Sequence, residues 1–319
     1  MSTPRSAPRS VLVIGGGAAG NAATILLRRA GVAVDLIEAK SDWNATAGSG
    51  ITLQGNALRV LRELGVWEQV QASGFGFGSV GITTPDGTVL HVARDIRTGG
   101  DDLPATVGMQ RPRLQRVLID AVRASGASVR LGTRAESLEQ NGDGVTVAFT
   151  DGTRGRYDLV IAADGVGSTT RAALGITAKP EPTGMAIWRV ATPRPAGVTR
   201  TDLAYGGPAY IAGYCPTSDT TIYAYVVEAN RDRASIPRRP TPTRCGASRP
   251  RTAASGRRSP GTSPTPRRST TPGSTGCWWR APGIAAGSCW SATRRTAARP
   301  PSPRARPCPW RMRGCSRSC

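Results

Sequence analysis

The stretch "SVLVIGGGAAGNAATILLRRAGVAVDLIEAK", residues 10–40, constrains the fold more than any other part of the chain. Val11–Ile14 is a short apolar run, as expected of a buried parallel strand. It enters Gly15-Gly16-Gly17-Ala18-Ala19-Gly20, which satisfies G-x-G-x-x-G through Gly15, Gly17 and Gly20. Ala18 to Ala30 then carries helical spacing through Ala22, Ile25, Leu26 and Leu27, and a second strand, Val32–Ile37, ends on Glu38. Each part has a physical role in holding a dinucleotide. Gly15 permits the tight turn, Gly17 lets the backbone approach a pyrophosphate, and Gly20 lets helix and strand pack closely. The first helical turn, through Ala18 and Ala19, offers free N–H groups and a partial positive charge to phosphates. Glu38 stands where an acid can accept both hydroxyls of an adenosine ribose, which disfavours a 2′-phosphate. G-x-G-x-x-G alone is a weak signal, but here a strand precedes it, a helix follows and an acid ends the next strand.

NAD and FAD both use this unit, so later residues decide between them. "GSGITLQGNALRVLRELGVWEQV", residues 48–70, reads as a strand followed by a helix with Ala57, Leu58, Leu61 and Leu64 on one face. "MQRPRLQRVLIDAVRASG" gives R-x-x-L-x-x-x-L at Arg111, Leu114 and Leu118 on a second helix. "YDLVIAADGVGSTTR" gives a strand and then D-G-x-x-S-x-x-R through Asp164, Gly165, Ser168 and Arg171. Ala127–Leu131, Ala135–Leu138 and Val145–Phe149 read as strands between Gly/Asp turns. By itself Arg111 is an ordinary first-turn arginine, and Asp164-Gly165 an ordinary turn. Arg171 reads as a residue that caps its own helix region or pairs with a neighbouring acid, rather than one that touches a cofactor.

Together these segments resemble the class A flavin monooxygenases, the aromatic hydroxylases of the p-hydroxybenzoate hydroxylase type, over residues 9 to about 230. The resemblance implies an α/β fold in which a Rossmann-like FAD-binding domain is interleaved with a β-sheet substrate domain. On that pattern, residues 1–75 and 106–178 form the FAD-binding domain, and 76–105 and 179–236 the substrate sheet. It further implies that Gly15, Gly17, Ala18, Ala19, Gly20 and Glu38 hold the ADP half of FAD. Arg111 would lie against the cofactor, and Asp164 with Gly165 near the pyrophosphate. NAD(P)H is the implied transient co-substrate, and a small aromatic molecule and O2 the reactants. The flavin carries the oxygen chemistry, so no protein nucleophile is required. His91, the one histidine, holds a strand position between turns and reads as a surface residue, so a Ser-His-Asp arrangement is not expected.

After Arg171 the pattern is β-rich: "MAIWRVATP", "DLAYGGPAYIAGYCP" and "TTIYAYVVEA" read as strands of the substrate sheet. Trp188, Tyr205, Tyr210 and Tyr214 are possible pocket residues, although half-buried strand aromatics are commoner than ligands. The start, "MSTPRSAPRS", lacks a signal-peptide core, and no apolar run is long enough to span a bilayer. A cytoplasmic protein is the simplest expectation.

Composition enters at residue 237. The net charge of +21 suggests nucleic acid or an anionic membrane until the charge is located. From Pro237 to Cys319 there are 18 arginines and no lysine, aspartate or glutamate, leaving residues 1–236 nearly neutral. The same stretch holds six of the seven cysteines and 14 of the 25 prolines, but only Ile284 and Met312 among Val, Ile, Leu, Met and Phe. So few apolar residues cannot offset the entropy of ordering, and disorder or a non-native state is expected. No C-x-x-C pair and no nearby histidine suits a metal.

The resemblance requires a second FAD motif, a strand followed by G-D-A-A-H, and the chain has none. Joining the last base of each codon to the first two of the next changes the picture. Cys289/Trp290 can then give only Leu, and the codons through Thr296 permit L-V-G-D-A-A-H. Upstream, Trp278 to Cys289 permits V-E-G-P-W-H-R-G-R-V-V; downstream, Arg304 to Arg313 permits G-A-A-M-S-L-E-D-A. The tail therefore reads as a frameshifted copy of the enzyme's own C-terminal third, with the slip between Asp232 and Cys245. A polyanion-binding role for the arginines has no aromatic interleaving or repeat to support it, so no specific nucleic-acid partner is expected. A dehydrogenase on the same nucleotide unit is disfavoured by the Asp164 motif. A reductase or halogenase of similar fold stays open.

Overall fold

The computed structural model describes residues 8–45, 49–230 and 295–299. Ser10–Ile14 (β1), Ala18–Arg29 (α1) and Ala33–Glu38 (β2) form the opening unit. Ile51–Gln54 (β3), Gly55–Glu63 (α2) and Trp67–Ser73 (α3) follow. Phe75–Phe77 (β4), Ser79–Thr83 (β5), Val89–Arg94 (β6) and Thr106–Met109 (β7) lead into Arg111–Ala124 (α4). Ser128–Leu131 (β8) precedes a meander of Ala135–Asn141 (β9), Gly144–Phe149 (β10) and Arg154–Tyr157 (β11). Leu159–Ala162 (β12) and the short helix Thr169–Ala173 (α5) come next. Glu181–Pro193 (β13), Thr201–Ala204 (β14), Ile211–Pro216 (β15), Thr221–Ala229 (β16) and Arg295–Arg299 (β17) complete the described elements.

The first body is a parallel sheet of order β12-β1-β2-β8. Its layering follows from the two-residue period of a strand. Val11 and Val13 of β1, with Val34 and Leu36 of β2, point to one side and pack with Ile25 of α1 and Leu118, Ile119 and Val122 of α4. Leu12, Ile14 and Ile37 point to the other, where the antiparallel meander β11-β10-β9 covers them with Val147, Phe149 and Tyr157. The Tyr157 hydroxyl donates to Asp35 Oδ2 at 2.7 Å and pins the meander to β2. The Asp158 carboxylate accepts the Arg9 and Ser10 N–H groups at 2.7 and 2.9 Å, holding the start of β1 against β12.

The second body is the sheet β17-β13-β16-β15-β14-β5-β6, antiparallel except where β14 runs parallel to β5. A small sheet, β3-β7-β4, stands between the two bodies. Residues 76–105 therefore divide: β5 and β6 join the large sheet, whereas β4 joins β3 and β7.

Two findings differ from the sequence expectations. The single helix expected after the first β3 residues is two, because Gly65 takes φ +64° and ends α2 one turn early. Arg29 of α1 reaches across to the carbonyls freed there, Glu63 O and Leu64 O. Disorder is expected after about residue 237, but Arg295–Arg299 forms β17, which pairs antiparallel with β13. An edge strand accepts any non-proline backbone through main-chain bonds, so RTAAR can add there without apolar side chains. The remaining tail, with its six cysteines and the flanks of the shifted-frame motif, lies outside the described residues.

Candidate functional site

The glycine turn sits where β1 hands over to α1, and the neighbouring backbone leaves no room for side chains. Gly15 has φ +106°, and a Cβ there would fall 2.5 Å from Ala163 O and 3.1 Å from Asp164 Cα. The turn and the loop after β12 are thus packed backbone to backbone. A Cβ on Gly20 would stand 1.8 Å from Gly15 O, so α1 can begin this close only with glycine. Gly17 is the opposite case: nothing lies within 4 Å of its Cβ position, and it is exposed together with Ala18 and Ala19. It is also the N-cap of α1, with no side-chain cap and no acid in the first turn. Free N–H groups and the positive end of the helix dipole thus face open ground, as an anion site requires.

Glu38, at the end of β2, borders this turn. Its Oε2 accepts the Gly16 N–H at 2.8 Å and its Oε1 the Lys40 N–H at 3.0 Å. Each oxygen takes one backbone donor and keeps a lone pair for a ligand hydroxyl. Asp164 faces the turn from β12. Burial pushes its carboxyl up, but hydrogen bonds from Ser168 and from the Thr170 N–H and hydroxyl outweigh this and hold it below the ordinary carboxylate value. The Thr170 N–H bond is 3.1 Å. Gly165 follows with φ +81° and an open Cβ position. The structure therefore brings Gly15, Gly17, Gly20, Glu38 and Asp164 to one end of the parallel sheet. Arg111 is the exposed first residue of α4, one turn before Gln115. Arg171 bonds Val166 O with its guanidinium and Ser168 Oγ with its N–H, a cap on its own turn.

Two residues at this turn escaped the sequence reading. Trp43 Nε1 and Gln115 Nε2 both donate to the buried Gly16 carbonyl, at 2.8 and 2.7 Å. They fix the plane of the peptide whose N–H side carries Gly17. The signal for Gln115 was its position beside Leu114 on the apolar face of α4, where a polar side chain needs a partner.

The large sheet turns one face toward this body, and strand register identifies it. Arg189, Tyr225 and Gly213 lie directly opposite one another, and Ala191, Tyr223 and Cys215 form the next row on the same face. Cys215 Sγ accepts from Thr52 Oγ1 of β3 at 3.7 Å, and the Gly50 Cβ position falls 2.6 Å from the Tyr223 ring. Tyr223 and Tyr225 stack with centroids 5.1 Å apart, and burial raises both phenols. Trp188 and Tyr214, singled out from sequence, occupy the opposite face, bonded to Glu228 and Asp202 respectively. Tyr205 and Tyr210 are exposed. His91 is exposed on β6.

A groove of about 600 Å³ runs between α1, α3 and α4, lined in part by Arg28, Arg29 and Arg116. It lies at the C-terminal end of α1, away from the glycine turn. Arg28 and Arg29 are already bonded to backbone carbonyls, so the groove is structural. Among the described residues no cluster of His, Cys, Asp and Glu could hold a metal, and no helix is long and apolar enough to cross a membrane.

Comparison with known proteins agrees with this fold. The aurachin C monooxygenase/isomerase of Stigmatella aurantiaca is 30% identical over 215 residues, 67% of this chain and 55% of that protein. The FAD-dependent urate hydroxylase of Klebsiella pneumoniae is 31% identical over 183 residues, covering 56% and 46%. The structure of Klebsiella pneumoniae HpxO complexed with FAD and uric acid superposes with a TM-score of 0.60 at 26% identity, covering 68% of this chain and 56% of that one. The chain spans about half the length of the curated relatives it matches. Residues 9–258 match the model of the FAD binding domain family, and the chain belongs to that family.

Proposed function

We propose that this chain carries the ADP-binding half and the substrate sheet of an FAD-dependent monooxygenase that uses NAD(P)H and O2 to hydroxylate a small aromatic molecule. The observation that carries the reading is the joint placement of the open Gly17 helix end, the Glu38 carboxylate and the Asp164 loop at one end of the parallel sheet. The residues present suit FAD: the ground in front of Gly17 admits a pyrophosphate, and Glu38 keeps acceptor capacity for ribose hydroxyls. FAD, when bound, supplies the redox and oxygen chemistry. The protein's part is to bind and orient. Gly17, Ala18 and Ala19 would meet the pyrophosphate, Glu38 the ribose, and Asp164 with Gly165 the phosphate edge. Arg111 would approach from the start of α4. The face bearing Tyr223 and Tyr225 would lie over the ring of the substrate and exclude water from it.

The chain as written lacks the flavin-side half of this site. Among the described residues β12 is an edge strand of the parallel sheet, and this supports that reading. Parallel sheets are normally covered on both faces, yet β12 exposes Leu159 and Ala162, and Val166, Leu174 and Ile176 nearby are also exposed. A further strand and helix would cover such a surface, and the shifted frame permits R-V-V-L-V-G-D-A-A-H. The test is to restore the frame by one base between the codons for Asp232 and Cys245. The restored protein should purify yellow and oxidise NAD(P)H faster with an aromatic substrate present. The chain as written should do neither. A restored protein without flavin, or a yellow and active chain as written, would overturn the proposal.

A further inference from the structure

The peptide unit between Gly16 and Gly17 is held from one side only. Its carbonyl, Gly16 O, accepts from Trp43 Nε1 at 2.8 Å and from Gln115 Nε2 at 2.7 Å. Both side chains are more than nine-tenths buried, at 4% and 7% exposed. The peptide is trans, so its N–H, which belongs to Gly17, points the opposite way. Among the described residues nothing accepts that N–H, and no atom lies within 4 Å of the Gly17 Cβ position.

The backbone alone does not impose this orientation. Turning the unit over changes ψ of Gly16 and φ of Gly17, and glycine tolerates either hand at both. The carbonyl oxygen would then face the ground in front of α1 and repel an anion there, while the N–H would be buried. Two contacts oppose that state. An indole nitrogen only donates, so Trp43 can bond the carbonyl but never the N–H. The Gln115 amide can present either end, so the indole decides the orientation and the amide reinforces it. Hydrogen bonds to a carbonyl also polarise its peptide and strengthen the N–H on the far side as a donor. The fit is close, since a Cβ added to Gly16 would overlap the Trp43 indole nitrogen.

We propose that Trp43 and Gln115 are positioning residues for the phosphates of the cofactor: they draw the Gly16 carbonyl inward and so present the Gly17 N–H to the pyrophosphate. They set affinity from behind the turn, without touching the ligand. The inference rests on the function proposed above, which puts a pyrophosphate in front of Gly17, and adds the two side chains that aim its donor.

Calorimetric titration of the full chain with ADP and with adenosine separates the phosphate contact from the rest of the site. Trp43→Phe should weaken ADP about fivefold and Gln115→Leu about threefold, the range for losing one neutral hydrogen bond, and the double variant should lose at least about tenfold. Adenosine affinity should change less than about twofold in all three, because Glu38, which meets the ribose, is held by the N–H of the preceding peptide, that of Gly16. Equal losses for ADP and adenosine would mean that the variants merely loosen the site, and would overturn the proposal. Unchanged ADP affinity in the double variant would overturn it too. Where a variant fails to fold, the native chain labelled with 15N-glycine reads the same claim: ADP should move the Gly17 amide proton downfield further than adenosine does, and a Gly17 amide indifferent to ADP would refute it. No binding of ADP by the native chain would remove the proposed function together with this inference, whereas ADP binding that survives both substitutions would remove this inference alone.

Discussion

Alanine at Gly20 and alanine at Gly17 should separate folding from cofactor binding three residues apart. At Gly20 the added methyl would meet the Gly15 carbonyl oxygen at 1.8 Å, against 3.4 Å for ordinary contact. Neither partner can step aside, since the oxygen is backbone and Gly15 is itself packed on Ala163. Overpacking of this kind costs about 1–3 kcal/mol and at times more. Alanine returns about 1 kcal/mol through helix propensity. With so short a contact the net loss should be about 2 kcal/mol or more, a fall of roughly 1 M in the urea midpoint. At Gly17 the backbone, with φ −79° and ψ −173°, is one alanine adopts freely, and nothing lies within 4 Å. Stability should change by less than about 1 kcal/mol there, the usual effect of an altered N-cap. Its methyl, however, would occupy the ground the pyrophosphate needs, and FAD or ADP affinity should fall at least tenfold. Urea unfolding followed by circular dichroism, and nucleotide titration, measure the two effects. A Gly20→Ala protein as stable as the parent, or a Gly17→Ala protein with unchanged nucleotide affinity, would refute the assignment of roles.

Other expectations follow from the same loop. Trp43→Phe and Gln115→Leu should each cost about 1–2 kcal/mol, but the double variant should cost more than their sum, since only then is the buried Gly16 carbonyl orphaned; additive unfolding energies in a double-mutant cycle would contradict this. Asp164 has its folded pKa held below the ordinary value, so its hydrogen bonds stabilise the fold above about pH 4 and that contribution is lost as pH falls through the folded pKa. Asp164→Asn should therefore lose stability relative to the parent at pH 7, and the difference should shrink as the pH is taken below about 4, seen as urea midpoints that converge on acidification.

The opening unit was legible in the sequence because local rules act together there: apolar strand, glycine turn, amphipathic helix and terminal acid each specify the same backbone. The Asp164 loop was legible for the same reason, with Ser168 and Thr170 close in sequence to the carboxylate they hold. What escaped depends on register between distant segments. Gln115 and Trp43 meet at Gly16 from 99 and 27 residues away, and no local pattern encodes that meeting. The substrate wall was half legible. "TTIYAYVVEA" was readable as a strand, but only the pairing of β13 with β16 shows that Arg189 shares a face with Tyr223 and Tyr225, whereas Trp188 and Tyr214 turn away. The split of α2 from α3 hung on one glycine with positive φ, a conformation that an apolar helical period does not reveal.

The central claim is that this chain grips the ADP end of FAD and lacks the grip on the flavin end. Paired titrations of the full chain with ADP and with FAD test it directly. Both should bind, with dissociation constants within about threefold of each other, because the flavin would add little contact here. FAD binding a hundredfold tighter than ADP, about 2.7 kcal/mol of extra interaction, would show that the flavin half of the site is present, and no binding of ADP would show that the glycine turn holds no nucleotide.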